Sequence, residues 1–257
     1  MTDHLVIPDA HTTPDTNNDR FVWAANLAIE RQPEVIICLG DLADMESLSS
    51  YDKGKKSFEG RRYSRDVEAA QDALRRFNQQ LDKYNATRGK AKKSKYAPRK
   101  IMLLGNHEER IERAIQLHPE FDGSIGYSNL RYSDFGWDVI PYLKPVNLDG
   151  VWYSHFVPSG VMGNSISGTN VARTLLSKKH ASCTVGHSHL LDYAIDADPS
   201  GRKIMGLSAG CYFEDAPDYA HATAHLWWRG LVYKYNVHDG EYDLETIDIK
   251  RMKERYS

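Results

Sequence analysis

The sequence predicts an α/β domain in which short buried strands alternate with amphipathic helices. Six short apolar runs each give way to glycine or polar residues, as strands inside a layered sheet do. Helical patterns fall between these runs, which favours a layered α/β fold over a β-sandwich or a helical bundle. The 257 residues are enough for one domain with a substantial core, and we expect a single domain over 1–257.

The predicted strands contain four to six apolar or β-branched residues each. In chain order they are 4–9, 34–41, 100–107, 151–156, 181–189 and 203–210. A hairpin is predicted from 231–237 and 241–249, because an Asp-Gly pair lies between two alternating runs.

Three stretches have helical spacing of their apolar residues: 18–32, 64–86 and 108–117. Pro33 ends the first and Pro119 ends the third. The second is the longest, with Val67, Leu74 and Leu81 on one side.

The charge is unevenly distributed. Residues 51–100 carry 16 Lys+Arg and 6 Asp+Glu, although the whole chain has a net charge of −2. We therefore predict a basic, partly helical insertion over 50–99, with lysine-rich surface segments at 53–56 and 88–100. A basic island favours a phosphate-bearing partner, and its lysines at 90–95 are expected to contact a nucleic acid backbone. A merely solvated insertion is the alternative.

Cysteine usage and the apolar pattern bear on location. The three cysteines are widely spaced and form no CxxC pair, which indicates a reducing compartment. No secretory signal is visible, and no apolar run approaches the about 20 residues that span a bilayer. We expect a cytoplasmic protein, in the host cytoplasm if it is phage-encoded, with no membrane partner.

Potential metal ligands lie at five of the six predicted strands, and at four of them directly after the apolar run. Ligand sites in α/β sheets gather at the carboxyl ends of strands, so these side chains are expected to meet. Their oxygen and nitrogen donors, with no sulfur, suit divalent first-row ions. The candidates are Asp9, His11, Asp41, Asn106, His155, His187 and His189, with Asp44 and His107 beside them.

The ordered blocks "DAH", "GDLAD", "GNHE", "SH" and "GHSH", from residue 9 to residue 189, resemble those of the calcineurin-like metallophosphoesterase superfamily. The resemblance implies a four-layer α-β-β-α sandwich, with the basic helical insertion added to it. It also implies two metal ions with Asp41 bridging them. Asp9, His11 and His189 would hold one ion, and Asn106, His155 and His187 the other.

The family's chemistry implies further roles. A metal-activated hydroxide would attack phosphorus. His107, which is not a ligand in the family pattern, would stabilise the phosphoryl oxygens or protonate the leaving oxygen, and Asp44 would orient His107 or another ligand. Manganese is the first choice of ion, with iron, zinc, nickel or magnesium as alternatives.

Two positions depart from the family pattern, which often has glycine there. Thr12 follows the first histidine and Phe156 follows His155. Phe156 would narrow the cleft, stack on a base, or belong to the core. His180 competes with His155 for the fourth block, but it precedes a predicted strand, so His155 is preferred.

Substrate contacts are predicted at Asn164 and Ser167, in a Gly- and Ser-rich loop at 158–170, and at Arg110 on the third helix. An ordinary connection is the alternative for the loop. His221 and His225 lie four apart near two tryptophans, and a structural role is expected for them.

A regular strand through His187 and His189 would put both rings on one face.

The sequence thus predicts a binuclear phosphodiesterase or nuclease acting on DNA or another nucleic acid. Tyr51, Phe58, Tyr63, Tyr84 and Tyr96 are interleaved with the basic residues and would stack on unpaired bases or form the insertion's own core.

Three alternatives stay open. A small-molecule phosphoesterase would act on a cyclic or linear nucleotide. A protein phosphatase is disfavoured by Leu104, where such enzymes carry arginine. The third is a catalytically inactive metal-bound scaffold.

Overall fold

The structure, a computed structural model, describes residues 1–214 and 224–257. Within these ranges the α-helices are α1 (Asp19–Arg31), α2 (Tyr63–Lys90), α3 (Glu109–Leu117), α4 (Val171–Lys179) and α5 (Ile249–Tyr256). The strands are β1 (Thr2–Ile7), β2 (Val35–Cys38), β3 (Arg99–Leu103), β4 (Asp138–Ile140), β5 (Val146–Leu148), β6 (Val151–Ser154), β7 (Pro158–Ser159), β8 (Asn164–Ser165), β9 (Cys183–Val185), β10 (Leu191–Ala197), β11 (Lys203–Ala209), β12 (Gly230–His238) and β13 (Glu241–Asp248).

Two main sheets form the centre of the fold. The first has the strand order β13-β12-β1-β2-β3-β4, and its strands β1 to β4 run parallel. The second has the order β10-β11-β9-β6-β5. All six predicted strands and the predicted β12–β13 hairpin are present.

The two sheets pack face to face. Their shared core contains Ile37 and Leu103 from the first sheet with Tyr153 and Leu207 from the second. Helices α1, α2 and α5 cover the outer face of the first sheet, and α4 covers that of the second. These contacts confirm the predicted α-β-β-α order of layers, and the continuous apolar runs of the central strands, which are buried on both faces, explain it.

Helix α2 packs on the domain along its buried face. Leu74, Phe77 and Leu81 are buried in the same core as the side chains of α1. At 28 residues the helix is about 42 Å long. Its two ends therefore lie in different surroundings.

The lysine-rich segment after α2 lies at the amino ends of the strands. The Tyr96 hydroxyl donates to the Pro33 carbonyl over 2.9 Å, and the Arg99 amide donates to the Glu34 carbonyl over 2.9 Å. Both acceptors directly precede β2. Lys90–Lys95 are thus at the edge opposite the carboxyl ends of the sheet, which gives no support to the expectation that they contact a substrate at those ends.

Several elements were not predicted. Helices α4 and α5 and strands β4, β5, β7, β8 and β10 are present in addition to the expected elements. The three cysteines are buried and unpaired. Among the helices of the described ranges, none has both the length and the apolar character to cross a bilayer.

Candidate metal centre

The seven predicted ligands meet at one place. Each follows a parallel strand at the centre of a sheet, so their side chains converge where those strands end. The contributors are β1 (Asp9, His11), β2 (Asp41), β3 (Asn106), β6 (His155) and β9 (His187, His189).

One half of the cluster joins Asp9, His11 and His189. The Nε2 atoms of the two histidines are 3.1 Å apart, and His189 Nε2 is 3.2 Å from Asp9 Oδ2. Asp9 Oδ1 is buried and has no hydrogen-bond partner among the described residues. A buried carboxylate oxygen without a donor is costly, so this atom is suited to binding a cation.

The other half is organised around Asn106. Its Oδ1 is 2.8 Å from His155 Nε2 and 2.8 Å from His187 Nδ1. His155 Nδ1 lies 2.9 Å from the Leu39 carbonyl and donates to it, so in the neutral imidazole the lone pair of Nε2 faces the site and can bind an ion.

Asp41 lies between the two halves. Its Oδ2 is 3.3 Å from His155 Nε2 and 3.9 Å from His11 Nε2. Its Oδ1 accepts from the His107 amide over 2.8 Å, which fixes the carboxylate. The position agrees with the bridging role that the family pattern implies.

The electrostatics favour positive charge in the cluster. Burial alone would raise the pKa of Asp41, but His155 and His107 hold it well below its ordinary value. Burial alone would lower the pKa of His155, yet Asp41 and Asp9 raise it to about 10. Burial and neighbouring His155 lower the pKa of His187. The carboxylates thus favour positive charge on His155, while burial and crowding oppose it on His187.

The donor set therefore fits divalent cations. Three groups have mutually close donor atoms, all within 4.8 Å of one another: Asp9, His11 and His189; Asp41, His155 and His187; and His11, Asp41 and His107. The first two are the predicted ion sites without Asn106. In the third group His107 lies close enough to bind an ion, so experiment must decide whether it is a ligand or a catalytic residue.

Two glycines allow the carboxylates to reach the cluster. A Cβ at Gly105 would lie 2.0 Å from Asp41 Oδ1, and a Cβ at Gly186 would lie 2.1 Å from Asp9 Oδ1. Real Cβ atoms do not approach oxygen so closely. The glycines of "GNHE" and "GHSH" are thus required, because the carboxylate oxygens lie too close to their Cα atoms for any side chain.

The expectation of a regular strand through His187 and His189 is wrong. Strand β9 ends at Val185, and the two histidines have positive φ angles of 65° and 59°. The left-handed backbone turns each ring separately. Ser188 points elsewhere, as expected, with its Oγ 2.7 Å from Ser208 Oγ.

Asp44 contacts both of the histidines beside it. Its Oδ1 is 3.1 Å from His11 Nδ1, and the same oxygen forms an ion pair with His107 Nδ1. His107 Nε2 is left facing Asp41 Oδ2 at 3.8 Å. Arg110 donates to the Asp44 carbonyl over 2.8 Å, and its Nη2 is 3.4 Å from His107 Nε2.

Glu108 has a role that the sequence analysis missed. It is fully buried, and its carboxylate accepts from the amides of Asp41, Ala43 and Gly105 over 2.8–3.0 Å. Burial first, and Asp41 next, raise its pKa. Glu108 thereby joins the loops after β2 and β3. The sequence feature that could have indicated this role is the position of Glu108 in the block "GNHE".

Two aromatic side chains were also missed. The Phe213 ring lies 5.4 Å from that of His11, and the Trp227 ring lies 4.5 Å from that of His189 at 90°. On the other side, the Phe156 ring lies 4.8 Å from that of His187. Phe156 therefore borders the histidine cluster.

The remaining candidates lie outside the cluster. Asn164 and Ser167 are exposed, and their side chains make no hydrogen bond to the described site residues. They stay predictions. His180 is exposed at the end of α4, which supports the choice of His155. His225 is exposed, and His221 lies outside the described residues.

No protein-family model and no curated protein sequence matches the chain. Solved structures match it over most of its length, among them the following three. An archaeal phosphodiesterase is 10% identical, with 95% of this chain and 99% of that chain covered and a TM-score of 0.44. The phosphoesterase Yfce from E. coli is 12% identical, with 96% and 99% covered and a TM-score of 0.42. The protein TT1561 of Thermus thermophilus is 10% identical, with 96% and 99% covered and a TM-score of 0.38.

The chain resembles the calcineurin-like metallophosphoesterases. The resemblance lies in the five sequence blocks and in the places that the fold gives their side chains.

Proposed function

We propose that the chain is a binuclear, metal-dependent phosphodiesterase that acts on a nucleic acid. The observation that carries this proposal is the convergence of seven oxygen and nitrogen donors on one buried place, with Asp9 Oδ1 lacking a partner among the described residues. Bound divalent ions would supply charge stabilisation for a phosphoryl group and lower the pKa of a water nucleophile. Manganese is the ion we propose first.

The protein's own groups support the remaining requirements. Asp44 holds His107 Nδ1, so His107 Nε2 faces the cleft, where it would hold a proton for the leaving oxygen or stabilise a phosphoryl oxygen. Arg110 lies beside it and would contribute positive charge to the phosphate. Asp41, Asn106 and His155 are held by neighbouring groups before any substrate binds.

A diester substrate is favoured by the surroundings of the site. Tyr51, Phe58 and Lys53 line the surface next to Arg110, and this region belongs to the basic part of the sequence. Aromatic and cationic side chains together favour a nucleic acid strand over a simple phosphomonoester.

The test is a substrate screen with added manganese, using single-stranded DNA, duplex DNA, RNA, a cyclic nucleotide and aryl phosphate mono- and diesters. We expect turnover of diesters and little of monoesters. Monoester turnover alone would exclude the diesterase. No turnover of any substrate by protein shown to contain two metal ions would exclude the enzyme.

His107→Ala separates catalysis from metal binding. We expect a loss of activity of about 100-fold or more, because a positioned acid or base contributes that much. Metal content should remain two ions per chain by elemental analysis. Loss of an ion would instead identify His107 as a ligand.

A further inference from the structure

A cavity of about 350 Å³ lies beside the metal centre. On one side it is lined by the loop between β2 and α2, including Tyr51 and Phe58. On the other it is lined by α3 and the turn that follows, including Leu117 and Phe121. Its volume lies in the range of small-molecule sites, about 300–1,000 Å³.

The lining combines apolar surface with positive charge. Tyr51 is 82% exposed and Leu117 is 72% exposed, so the lining presents large apolar side chains to solvent. Lys53 and Arg113 add positive charge, and none of the described lining residues carries a carboxylate. A planar aromatic group attached to a phosphate satisfies both properties, since bases stack on aromatic rings and phosphates bind cations.

Arg110 connects this cavity to the metal centre. It lines the cavity, and its guanidinium lies 3.4 Å from His107 Nε2 and 2.8 Å from the Asp44 carbonyl. A substrate whose phosphate lies at the metal centre would therefore extend into the cavity on the side of His107.

We propose that this cavity binds the base of the nucleotide that flanks the scissile phosphate on the His107 side. The base stacks on Tyr51, Phe58 or Phe121, and the next phosphate lies against Lys53 and Arg113. The proposal rests on the proposed function and specifies its substrate class: an unpaired nucleotide, free or at the end of a single strand.

Two variants test the cavity. Phe121→Ala removes aromatic surface, and Ala114→Trp fills the space from α3. Ile195→Ala, on the distant strand β10, is the matched control, because Ile195 is also an exposed apolar residue, at 47%. The substrates are thymidylyl-thymidine and bis(p-nitrophenyl) phosphate, whose activated leaving group depends little on remote contacts.

We expect both cavity variants to lower kcat/KM for the dinucleotide by about tenfold, the loss of one stacked base. Turnover of bis(p-nitrophenyl) phosphate should change less than about twofold, and the control should match the wild type with both substrates. Equal effects on both substrates, or no effect of either variant, would overturn the proposal while leaving the proposed function standing.

Binding is measured separately, so that failure of catalysis does not hide the answer. Fluorescence anisotropy with labelled hexathymidylate needs no turnover. Weaker binding by both variants but not by the control supports the cavity even if the wild type proves inactive. Unchanged binding by both variants overturns it. Competition by thymidine monophosphate as strong as that by the oligonucleotide identifies a free nucleotide as the ligand, and much weaker competition identifies a strand.

Discussion

At the scale of single residues, Gly186 is a position beside the metal centre that only glycine can occupy. Its hydrogen faces Asp9 Oδ1 where any side chain would collide, since a Cβ would lie 2.1 Å away. The Asp9 carboxylate is held there by the His187 amide, which donates to Oδ2 over 2.9 Å. Asp9 is fully buried and cannot retreat into solvent.

Gly186→Ala should displace Asp9 and weaken the ion site that Asp9, His11 and His189 form. We expect a loss of metal affinity and activity of about tenfold or more, comparable to the loss of groups that orient ligands. Metal content by elemental analysis, together with diesterase activity, measures this. Full metal content with normal activity would contradict the expectation.

Gly89→Ala is the control for that variant. Gly89 lies in α2, and a Cβ there would meet nothing within 4 Å. Metal content and activity should be unchanged. The free energy of unfolding should stay equal or rise by up to about 1 kcal/mol, because alanine favours helix over glycine.

Single residues were predictable where a sequence block marked them. Asp9, Asp41 and His155 lie at strand ends, and the topology of parallel strands brings such ends together. The roles of Phe213 and Trp227 could not be found in this way. Neither residue belongs to a ligand block, and their contacts with His11 and His189 join parts of the chain far apart in sequence, which no local pattern encodes.

At the scale of elements, β12 contains a fully buried lysine, which is uncommon in a protein core. Lys234 is fully buried, and its ammonium group donates to Thr184 Oγ1 on β9 of the other sheet. Its Nζ lies 4.0 Å from the centre of the Tyr242 ring. No ion pair of Lys234 with a described carboxylate accompanies these contacts, and burial lowers its pKa well below the ordinary value.

Lys234→Met should raise the free energy of unfolding at pH 7 by on the order of 1 kcal/mol or more. At this pH the lysine of the unfolded chain is protonated, whereas burial in the folded state disfavours the protonated form. Folding therefore carries a free-energy cost, which methionine removes. As pH rises toward about 10, the unfolded lysine also loses its proton and the difference should shrink. Urea unfolding between about pH 7 and 9.5 measures both effects.

The exposed Lys250, on α5, provides the comparison. Lys250→Met should change the free energy of unfolding by less than about 0.5 kcal/mol at any of these pH values. A wild type more stable than Lys234→Met at pH 7 would show that the contacts with Thr184 and Tyr242 outweigh burial of the amine.

Elements were predicted well where apolar periodicity was strong. Strands β1, β2 and β3 and helix α1 agree with the sequence, because each buries a continuous apolar face. Helix α5, with six charged or polar residues among its eight, buries only Ile249 and Met252. So narrow a buried face gives too weak a signal in the sequence.

At the scale of the whole molecule, the basic region divides into two parts. The lysines at 53–56 precede helix α2, which is about 42 Å long, and those at 90–95 lie at its other end. The first part adjoins the cavity lined by Arg110, and the second lies at the amino ends of the strands. Charge composition predicted a basic island, but composition contains no information on which end of a helix faces the site.

The two lysine clusters should therefore differ in their effect on nucleic acid binding. Replacing Lys53, Lys55 and Lys56 with alanine should weaken binding of single-stranded DNA and reduce the salt dependence by about 0.7 in slope for each phosphate that the variant no longer neutralises. The equal change at Lys92, Lys93 and Lys95 removes the same charge far from the site and should have little effect. Anisotropy titrations across salt concentrations measure both. Equal effects of the two triple variants would show that only overall charge matters.

Four donors of the metal centre, His11, Asp41, His187 and His189, have left-handed backbone, with φ between 42° and 65°. Non-glycine residues adopt this conformation at a cost, and it persists because the surrounding sheet ends determine it. The conformational entropy of collecting the donors is consequently lost while the chain folds. An arriving ion meets ligands that are already in place, so its affinity reflects the strength of the bonds it forms and little of the disorder that it would otherwise have to remove.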